Sequence, residues 1–182
     1  MATIFTHAFV GSSLSTCNKD KKLRLRLAWV LATLSILPDL DVISFRLGIA
    51  YSDPLGHRGL SHSIVFAVVL ALIASLLFRP KKKILSKAWF KLYTLCFIAL
   101  ISHGLLDALT NGGLGVGFFI PFDNSRYFLP WQPLEVSPIS IQNFLSPWGL
   151  EVILNEALWI WLPVIIFLIV LKLIRLSKKQ AT

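Results

Sequence analysis

Long apolar stretches, interrupted by short polar segments, dominate the chain. A helix needs roughly 20 apolar residues to cross the hydrocarbon core of a bilayer. Three stretches satisfy this requirement: Leu60 to Phe78, Ala88 to Leu109 and Ala157 to Leu176. The last lies in a helix expected over about 150–176, because Ser146-Pro147 resembles an N-cap followed by proline at the first helical position. The pattern predicts a protein that crosses a membrane several times.

Two weaker stretches complete the pattern. Residues 27–45 are long enough for a span, but Pro38, Asp39 and Asp41 would make an ordinary lipid-facing helix costly. Residues 3–18 are short and rich in small residues, and they lack the basic start of a cleavable signal peptide. The sequence predicts an all-α fold, a polytopic transmembrane helical bundle in a single integral membrane domain over residues 1–182. We expect about five membrane segments, at about 3–18, 27–45, 60–78, 88–109 and 150–176, with an outer loop rich in aromatic residues and proline over 110–149.

Composition agrees with this prediction. Hydrophobic residues make up 55% of the chain and charged residues only 15%, and the mean hydropathy is +0.72. These values exclude a disordered chain, and the length of 182 residues excludes a large multi-domain enzyme. The formal charge of +9 fits nucleic acid, anionic lipid or membrane topology, so the positions of the charges must decide between them.

The basic residues lie almost entirely in three blocks, each at the end of a predicted span. The positive-inside rule places all three blocks in the cytoplasm. Five crossings satisfy this condition, with the N-terminus outside and the C-terminus in the cytoplasm. Membrane lipids are therefore the expected partners of these charges, and no nucleic acid is expected. The blocks are Lys19, Lys21, Lys22, Arg24 and Arg26; Arg79, Lys81, Lys82, Lys83, Lys87 and Lys91; and Lys172, Arg175, Lys178 and Lys179.

Seven ionisable residues lie beside or within the apolar spans. Each such group costs about 3 kcal/mol at bilayer depth, which marks it as a candidate functional residue. Counted from the cytoplasmic end, four spans bring these groups to similar depths of roughly 16 to 24 Å. Convergence of His and Asp in one layer predicts a metal site in the outer half of the membrane. The residues are His7, Asp39, Asp41, His57, His62, His103 and Asp107.

Local spacing refines this prediction for two pairs. His103 and Asp107 are separated by one helical turn, so both can face one ion. Asp39 and Asp41 cannot share a face of a continuous helix. Either Pro38 breaks the helix into a short extended or re-entrant piece, or one Asp orients a histidine through its other ring nitrogen.

The segment around Gly59 adds a loop to the expected site. His57 and His62 are five residues apart, which places His57 on the loop and His62 in the first helical turn, with Ser61 as a plausible N-cap. Arg58 offers a bidentate fork for a phosphate or carboxylate, and the alternative is a structural ion pair with a site Asp.

At these residues the sequence resembles the YdjM-like family of inner-membrane metal-dependent hydrolases. The resemblance extends from residue 6 to about residue 122. The matching segments are Thr6-His7 with Gly11; Leu37-Pro38-Asp39-Leu40-Asp41; His57-Arg58-Gly59-Leu60-Ser61-His62-Ser63; Ser102-His103; and Asp107 through Gly113.

A more distant similarity links the family to all-helical zinc-dependent phospholipases C and single-strand nucleases. Those enzymes hold clustered zinc with His and Asp, including a His-x-x-x-Asp pair that His103 and Asp107 match. They also use more histidines, an N-terminal amine and a His-x-x-x-Glu pair without a clear counterpart in this chain. The resemblance therefore implies one or two ions rather than a three-metal cluster.

The resulting hypothesis is a membrane-embedded hydrolase of a lipid or another phosphoester, with its site open to the extracytoplasmic side. We expect a divalent metal, zinc from the mixed imidazole and carboxylate ligands, to activate water. Asp39 is the expected base, and Arg58 the group that stabilises phosphoryl charge. The expected metal ligands are His7, Asp41, His57, His62, His103 and Asp107.

Two non-enzymatic hypotheses use the same residues. The cluster could carry a metal ion or a proton across the bilayer, or hold a structural metal in a scaffold or regulator. The loop over residues 114–156 is read as an aromatic belt or as a lid over the site. Glu151 and Glu156, near the outer end of the last helix, are expected to be hydrated surface residues, and the alternative is that either supplies an extra carboxylate to the site.

Overall fold

The computed structural model describes residues 1–18, 20–78 and 83–180, and over these ranges the fold is all-helical, as predicted. Within them we find no β-strand, only isolated bridges between Thr110 and Leu134 and between Val116 and Tyr127. The helices are α1 (Ile4–Ser13), α2 (Lys21–Ile36), α3 (Ile43–Arg46), α4 (Ile64–Leu77), α5 (Lys87–Ala108), α6 (Ile141–Phe144), α7 (Pro147–Glu156) and α8 (Leu162–Gln180). Short 3-10 segments at Leu14–Cys17, Leu37–Val42 and Leu60–His62 and a π-helical turn at Ala157–Trp161 complete the order.

Three helical stretches are long and apolar enough to cross a membrane. They are Lys21–Arg46, Lys87–Ala108 and Pro147–Lys178. The helix α4 is also apolar but has 14 residues, shorter than an ordinary span. The last stretch begins at Pro147 directly after Ser146, where the Ser-Pro pair predicted a helix start.

The predicted end of regular α-helix at Pro38 is confirmed, but the segment that follows is 3-10 helical rather than extended. Regular α-helix ends at Ile36, and the chain continues as a 3-10 segment over Leu37–Val42. A proline ring collides with the carbonyl of the preceding helical turn, so the α-helical pattern cannot continue through this position. The tighter winding sets new directions for Asp39 and Asp41.

The apolar core lies between α2, α4 and α5. Leu31, Ala71 and Ala99 are fully buried in it, and Cys96 packs beside them as a free cysteine. Ala67, Ala71 and Ala74 follow one face of α4, where small side chains allow a close approach to α5. This core separates the candidate site from the opposite end of the bundle.

That opposite end collects the basic residues. Lys91 in α5 donates a hydrogen bond to the carbonyl of Cys17 at 2.9 Å, and Arg175 in α8 donates to the carbonyl of Thr16 at 2.8 Å. Cations at the C-terminal end of a helical turn stabilise its unpaired carbonyls. Members of the second and third basic blocks therefore meet the first at one end of the bundle. Lys19, Arg79, Lys81 and Lys82 lie outside the described residues.

Candidate metal centre

Four buried side chains converge where the break after α2, the segment before α4 and the last turns of α5 meet. The predicted convergence of His and Asp is confirmed for these four residues. One potential ligand atom from each lies within 4.8 Å of all the others, a spacing that suits a single metal ion. The four are Asp39, His62, His103 and Asp107.

The two histidines face each other through their Nε2 atoms. His103 Nδ1 lies 2.7 Å from the carbonyl oxygen of Ser35, which can only accept, so Nδ1 carries the hydrogen. His62 Nδ1 lies 2.9 Å from the Ser61 hydroxyl and 3.1 Å from Asp41 Oδ2. The two Nε2 atoms are 2.9 Å apart. This spacing would allow both Nε2 atoms to coordinate the same metal ion.

Asp39 supplies an unpaired carboxylate to the same site. Both of its oxygens are buried without a hydrogen bond. Its Oδ1 lies 3.4 Å from His103 Nε2 and 3.9 Å from His62 Nε2. A buried carboxylate without hydrogen bonds is unfavourable unless a cation compensates its charge. The donor set of two imidazoles and carboxylates therefore fits a divalent ion such as zinc.

Asp107 and Arg58 form a fully buried ion pair, the structural alternative predicted for this arginine. Arg58 Nε donates to Asp107 Oδ2 at 3.1 Å, and the other nitrogens donate to the Thr110 hydroxyl at 2.9 Å and the Gly112 carbonyl at 2.8 Å. Asp107 Oδ1 also accepts from the backbone N–H of Ala2 at 2.8 Å. The guanidinium thus faces inward and fixes Asp107, whereas a phosphoryl-binding role requires exposed donors.

His7 lies beside the four residues rather than among them. Its ring stacks on that of His103 with centroids 3.8 Å apart, and its Nε2 is 3.3 Å from Asp107 Oδ1. Neither ring nitrogen has a hydrogen-bond partner, although the side chain is completely buried. His7 Nε2 is therefore available to bind a second ion or to form a hydrogen bond with a bound molecule.

Asp41 and His57 form a layer behind the four residues. Asp41 Oδ1 is 2.6 Å from His57 Nδ1, and its Oδ2 accepts from the Ser61 hydroxyl at 2.5 Å and from the backbone N–H of Arg58 at 3.0 Å. Asp41 therefore orients His62 from behind, while Asp39 faces the centre, so Asp41 and His57 lie outside the cluster in which they were expected as ligands. The α4 N-cap is Ser63, which accepts from Phe66 N–H, so the expected N-cap at Ser61 is wrong.

Removing the Asp41 charge is expected to weaken metal binding without unfolding the protein. Asp41→Asn keeps the size of the side chain but loses acceptor strength toward His62 and His57, and such outer partners contribute roughly 10- to 100-fold in metal affinity. Zinc affinity should be measured by competition with a chelator of known affinity. Asp53→Asn is the matched control, since Asp53 caps an exposed turn through Leu55 N–H. Equal affinities for the two variants would contradict the assigned role.

The loop that connects α5 and α6 holds the segment around His57 in place. Arg126 donates to the backbone carbonyls of His57, Tyr51 and Asp53 at 2.8 to 2.9 Å. The N–H of Gly117 donates to the carbonyl of Arg58 at 2.9 Å. Tyr51 packs against the His57 ring, and burial raises the pKa of its phenol, which keeps it uncharged. The loop is therefore an integral wall of the site.

Glu156 is the main site residue that sequence reasoning missed. The expectation of a hydrated surface residue is wrong, because Glu156 is fully buried. It accepts hydrogen bonds from the hydroxyl and backbone N–H of Thr3 and from the Thr6 hydroxyl. Trp161 Nε1 donates to the same Thr6 hydroxyl at 2.6 Å. These contacts fasten the last membrane helix to α1, which carries His7.

A cavity reaches the site from the side. It has a volume of about 390 Å³ and lies between the start of α1, the 3-10 segment after α2 and residues 137–144. Asp39 belongs to its lining, so one of the four candidate ligands borders open space. The cavity therefore ends beside Asp39, whose carboxylate oxygens are buried between it and the other three residues of the cluster.

Comparison with known proteins identifies the family. The chain matches the YdjM inner membrane protein family over residues 1–181. It is 38% identical over 168 residues to inner membrane protein YbcI of Escherichia coli (strain K12), an alignment that covers 90% of this chain and 92% of that protein. No solved structure matches the chain. The protein therefore belongs to the YdjM family and is a multi-pass inner membrane protein, in agreement with its helices that are able to span a membrane.

Proposed function

We propose that the protein is a membrane-embedded, metal-dependent hydrolase that cleaves a phosphoester, in a lipid or lipid-linked substrate, at the extracytoplasmic side. The observation that carries the proposal is the convergence of His and Asp side chains at the buried centre, where the Asp39 carboxylate has no hydrogen-bond partner. Two facing imidazole nitrogens and a carboxylate without hydrogen bonds are buried together beside a cavity. One or two zinc ions held by Asp39, His62, His103 and Asp107, with His7 beside them, satisfy these atoms.

The surrounding residues divide the remaining tasks. A bound zinc ion supplies Lewis acidity, which activates water and polarises the scissile group. Asp39 borders the cavity, and its carboxylate would accept the proton of the attacking water. Ser35 and Asp41 keep the histidine Nε2 atoms directed at the centre. Arg58 holds Asp107 in place.

The apolar core favours hydrolysis over transport. A carrier of ions or protons requires polar access from both faces of the membrane. Below the site, the space between α2, α4 and α5 is filled by Leu31, Ala71, Ala99 and their apolar neighbours. A lateral cavity that ends at the metal centre suits an enzyme whose substrate comes and goes on one side.

Asp39→Asn is expected to lower the turnover of a cleaved phosphoester by roughly 100-fold or more, because the amide cannot accept the proton. Zinc-loaded protein should be tested against soluble and lipid phosphoesters, with zinc content measured in the same samples. Asp53→Asn serves again as the control of equal charge change. Unchanged turnover in Asp39→Asn would refute the assigned base. Zinc binding with ion flux in vesicles and no hydrolysis would instead support a carrier, and zinc without either activity a structural metal.

The proposed topology has five membrane segments, with the N-terminus outside and the basic ends in the cytoplasm. It is supported by the contacts of Lys91 and Arg175 with the segment Leu14–Cys17, which gather the basic ends on one side. Asn124→Cys, in the outer loop, should react in intact cells with a maleimide that cannot cross the inner membrane. The exposed native Cys17 should react only after lysis. Labelling of Cys17 in intact cells would overturn the orientation.

A further inference from the structure

We infer that the cavity beside Asp39 binds the alkyl chain of a membrane lipid and that the chain positions the lipid's phosphate at the metal centre. The position of the phosphate rests on the proposed function, whereas the chain site rests on the cavity itself. The inference assigns the substrate class, a lipid phosphoester held by its chain, and the direction from which it enters.

The walls of the cavity match a hydrocarbon chain. They are formed by Ile4, Phe5, Ile36, Leu40, Ile139 and Phe144, among other residues. Among the described residues that line it, Asp39 carries the only acidic or basic side chain. The volume of about 390 Å³ lies within the range of roughly 300 to 1,000 Å³ typical of small-molecule sites. An apolar chain would therefore bury its surface without displacing hydrogen bonds of the walls.

The mouth of the cavity is apolar as well. Leu40 is 68% exposed and Ile141 is 79% exposed at its edge. On a helix bundle embedded in lipid, such side chains contact the hydrocarbon region of the bilayer. A lipid chain can thus pass sideways from the membrane into the cavity without crossing water.

Asp39 marks the end of the cavity that lies nearest to the candidate metal centre. Asp39 lines the cavity, and its buried carboxylate has no hydrogen-bond partner and lies 3.4 Å from His103 Nε2 and 3.9 Å from His62 Nε2. A chain in the cavity therefore brings the polar group at its end to the candidate metal centre. A carboxylate would repel an anionic group by itself, so the phosphate requires a bound cation at this point.

A neighbouring cavity provides a contrast. It has a volume of about 410 Å³, shares the wall segment 137–140, and is lined by Tyr51, His57, Asn143 and Trp148. These side chains offer hydrogen-bonding groups, so this space suits water or a polar head group rather than a chain. The apolar and polar spaces lie on the two sides of one short segment, as an amphiphilic ligand requires.

Photocrosslinking tests the inference directly. The purified full-length protein is reconstituted into phosphatidylethanolamine and phosphatidylglycerol vesicles that contain a dodecyl phosphate with a diazirine near the chain end. Ile4→Trp fills the cavity from a half-exposed wall position, and Ile43→Trp makes the same exchange at an exposed position that is not part of the lining. Labelled peptides are located by mass spectrometry with zinc bound and after chelation.

We expect labels in the peptides around Phe5 and around residues 139–144, and a reduction of at least 10-fold in Ile4→Trp but not in Ile43→Trp. Ile139→Trp provides a second filling variant from the opposite wall. Labelling spread over the lipid-facing side of α8, or equal labelling in filled and control variants, would overturn the inference. Cavity labelling without zinc binding or hydrolysis would refute the proposed function alone, while hydrolysis of a soluble phosphoester without cavity labelling would refute the chain site alone.

Discussion

His103→Ala is expected to remove zinc from the purified protein. The zinc affinity should fall by at least about 100-fold, because 100-fold is the upper limit for residues that only support a metal ligand. The imidazole contributes the nitrogen that lies 2.9 Å from His62 Nε2 and 3.4 Å from Asp39 Oδ1. Its removal leaves one imidazole and two carboxylates, a weaker donor set for zinc than the intact cluster.

The measurement is zinc per protein by elemental analysis, followed by chelator competition. Ser102→Ala is the neighbouring control, because the Ser102 hydroxyl donates only to the carbonyl of Ala99, one turn earlier in the same helix. Helix content and thermal unfolding in detergent show whether His103→Ala is folded. A folded His103→Ala protein that binds zinc as tightly as Ser102→Ala would refute the metal centre.

The second large effect is expected for the ion pair of Arg58 with Asp107. In zinc-free protein, Arg58→Met should lower the free energy of unfolding by about 3 to 5 kcal/mol, because it leaves a buried carboxylate without its counter-charge. Asp107→Asn should be costly for the converse reason. The double variant leaves neither charge uncompensated, so its loss should be smaller than the sum of the single losses, with a coupling of roughly 0.5 to 3 kcal/mol.

A second cycle separates this coupling from a general effect of losing an arginine. Arg126 contacts only backbone carbonyls in the described hydrogen bonds, so Arg126→Met and Asp107→Asn should be additive within about 0.5 kcal/mol. Unfolding is followed in a detergent series after chelation. Additive losses for Arg58→Met and Asp107→Asn would show that the buried contact does not stabilise the fold.

The sequence predicted the position of the site better than the roles within it. Apolar periodicity and the depth of each polar residue were sufficient to bring His62, His103 and Asp107 together. Which of Asp39 and Asp41 faces the centre depends on the winding of the chain after Pro38, and a 3-10 segment turns its side chains to different directions than an α-helix. Hydrophobic patterning does not specify that winding.

Glu156 and Ser61 are two further residues whose roles the sequence pattern did not predict correctly. The rule that an acid within an apolar span is functional applies to Glu156, but the expected apolar stretch began one residue later, at Ala157. The helix starts at Pro147, as the Ser-Pro pair predicted, so Glu156 lies well inside it. Ser61 and Ser63 both precede α4, and only the backbone path through the 3-10 segment decides which hydroxyl caps the helix.

The inward-facing Arg58 also sets the electroneutrality of the centre. Three aspartates and one guanidinium lie in and behind it, which leaves two formal negative charges when the histidines and the nearby amino group of Met1 are neutral. One divalent ion balances these charges, and a low-dielectric interior strongly penalises any excess. A second ion would leave two positive charges, which a phosphate dianion matches. Under the proposed function, this charge balance predicts one ion in the resting protein and a second only together with a bound phosphate group.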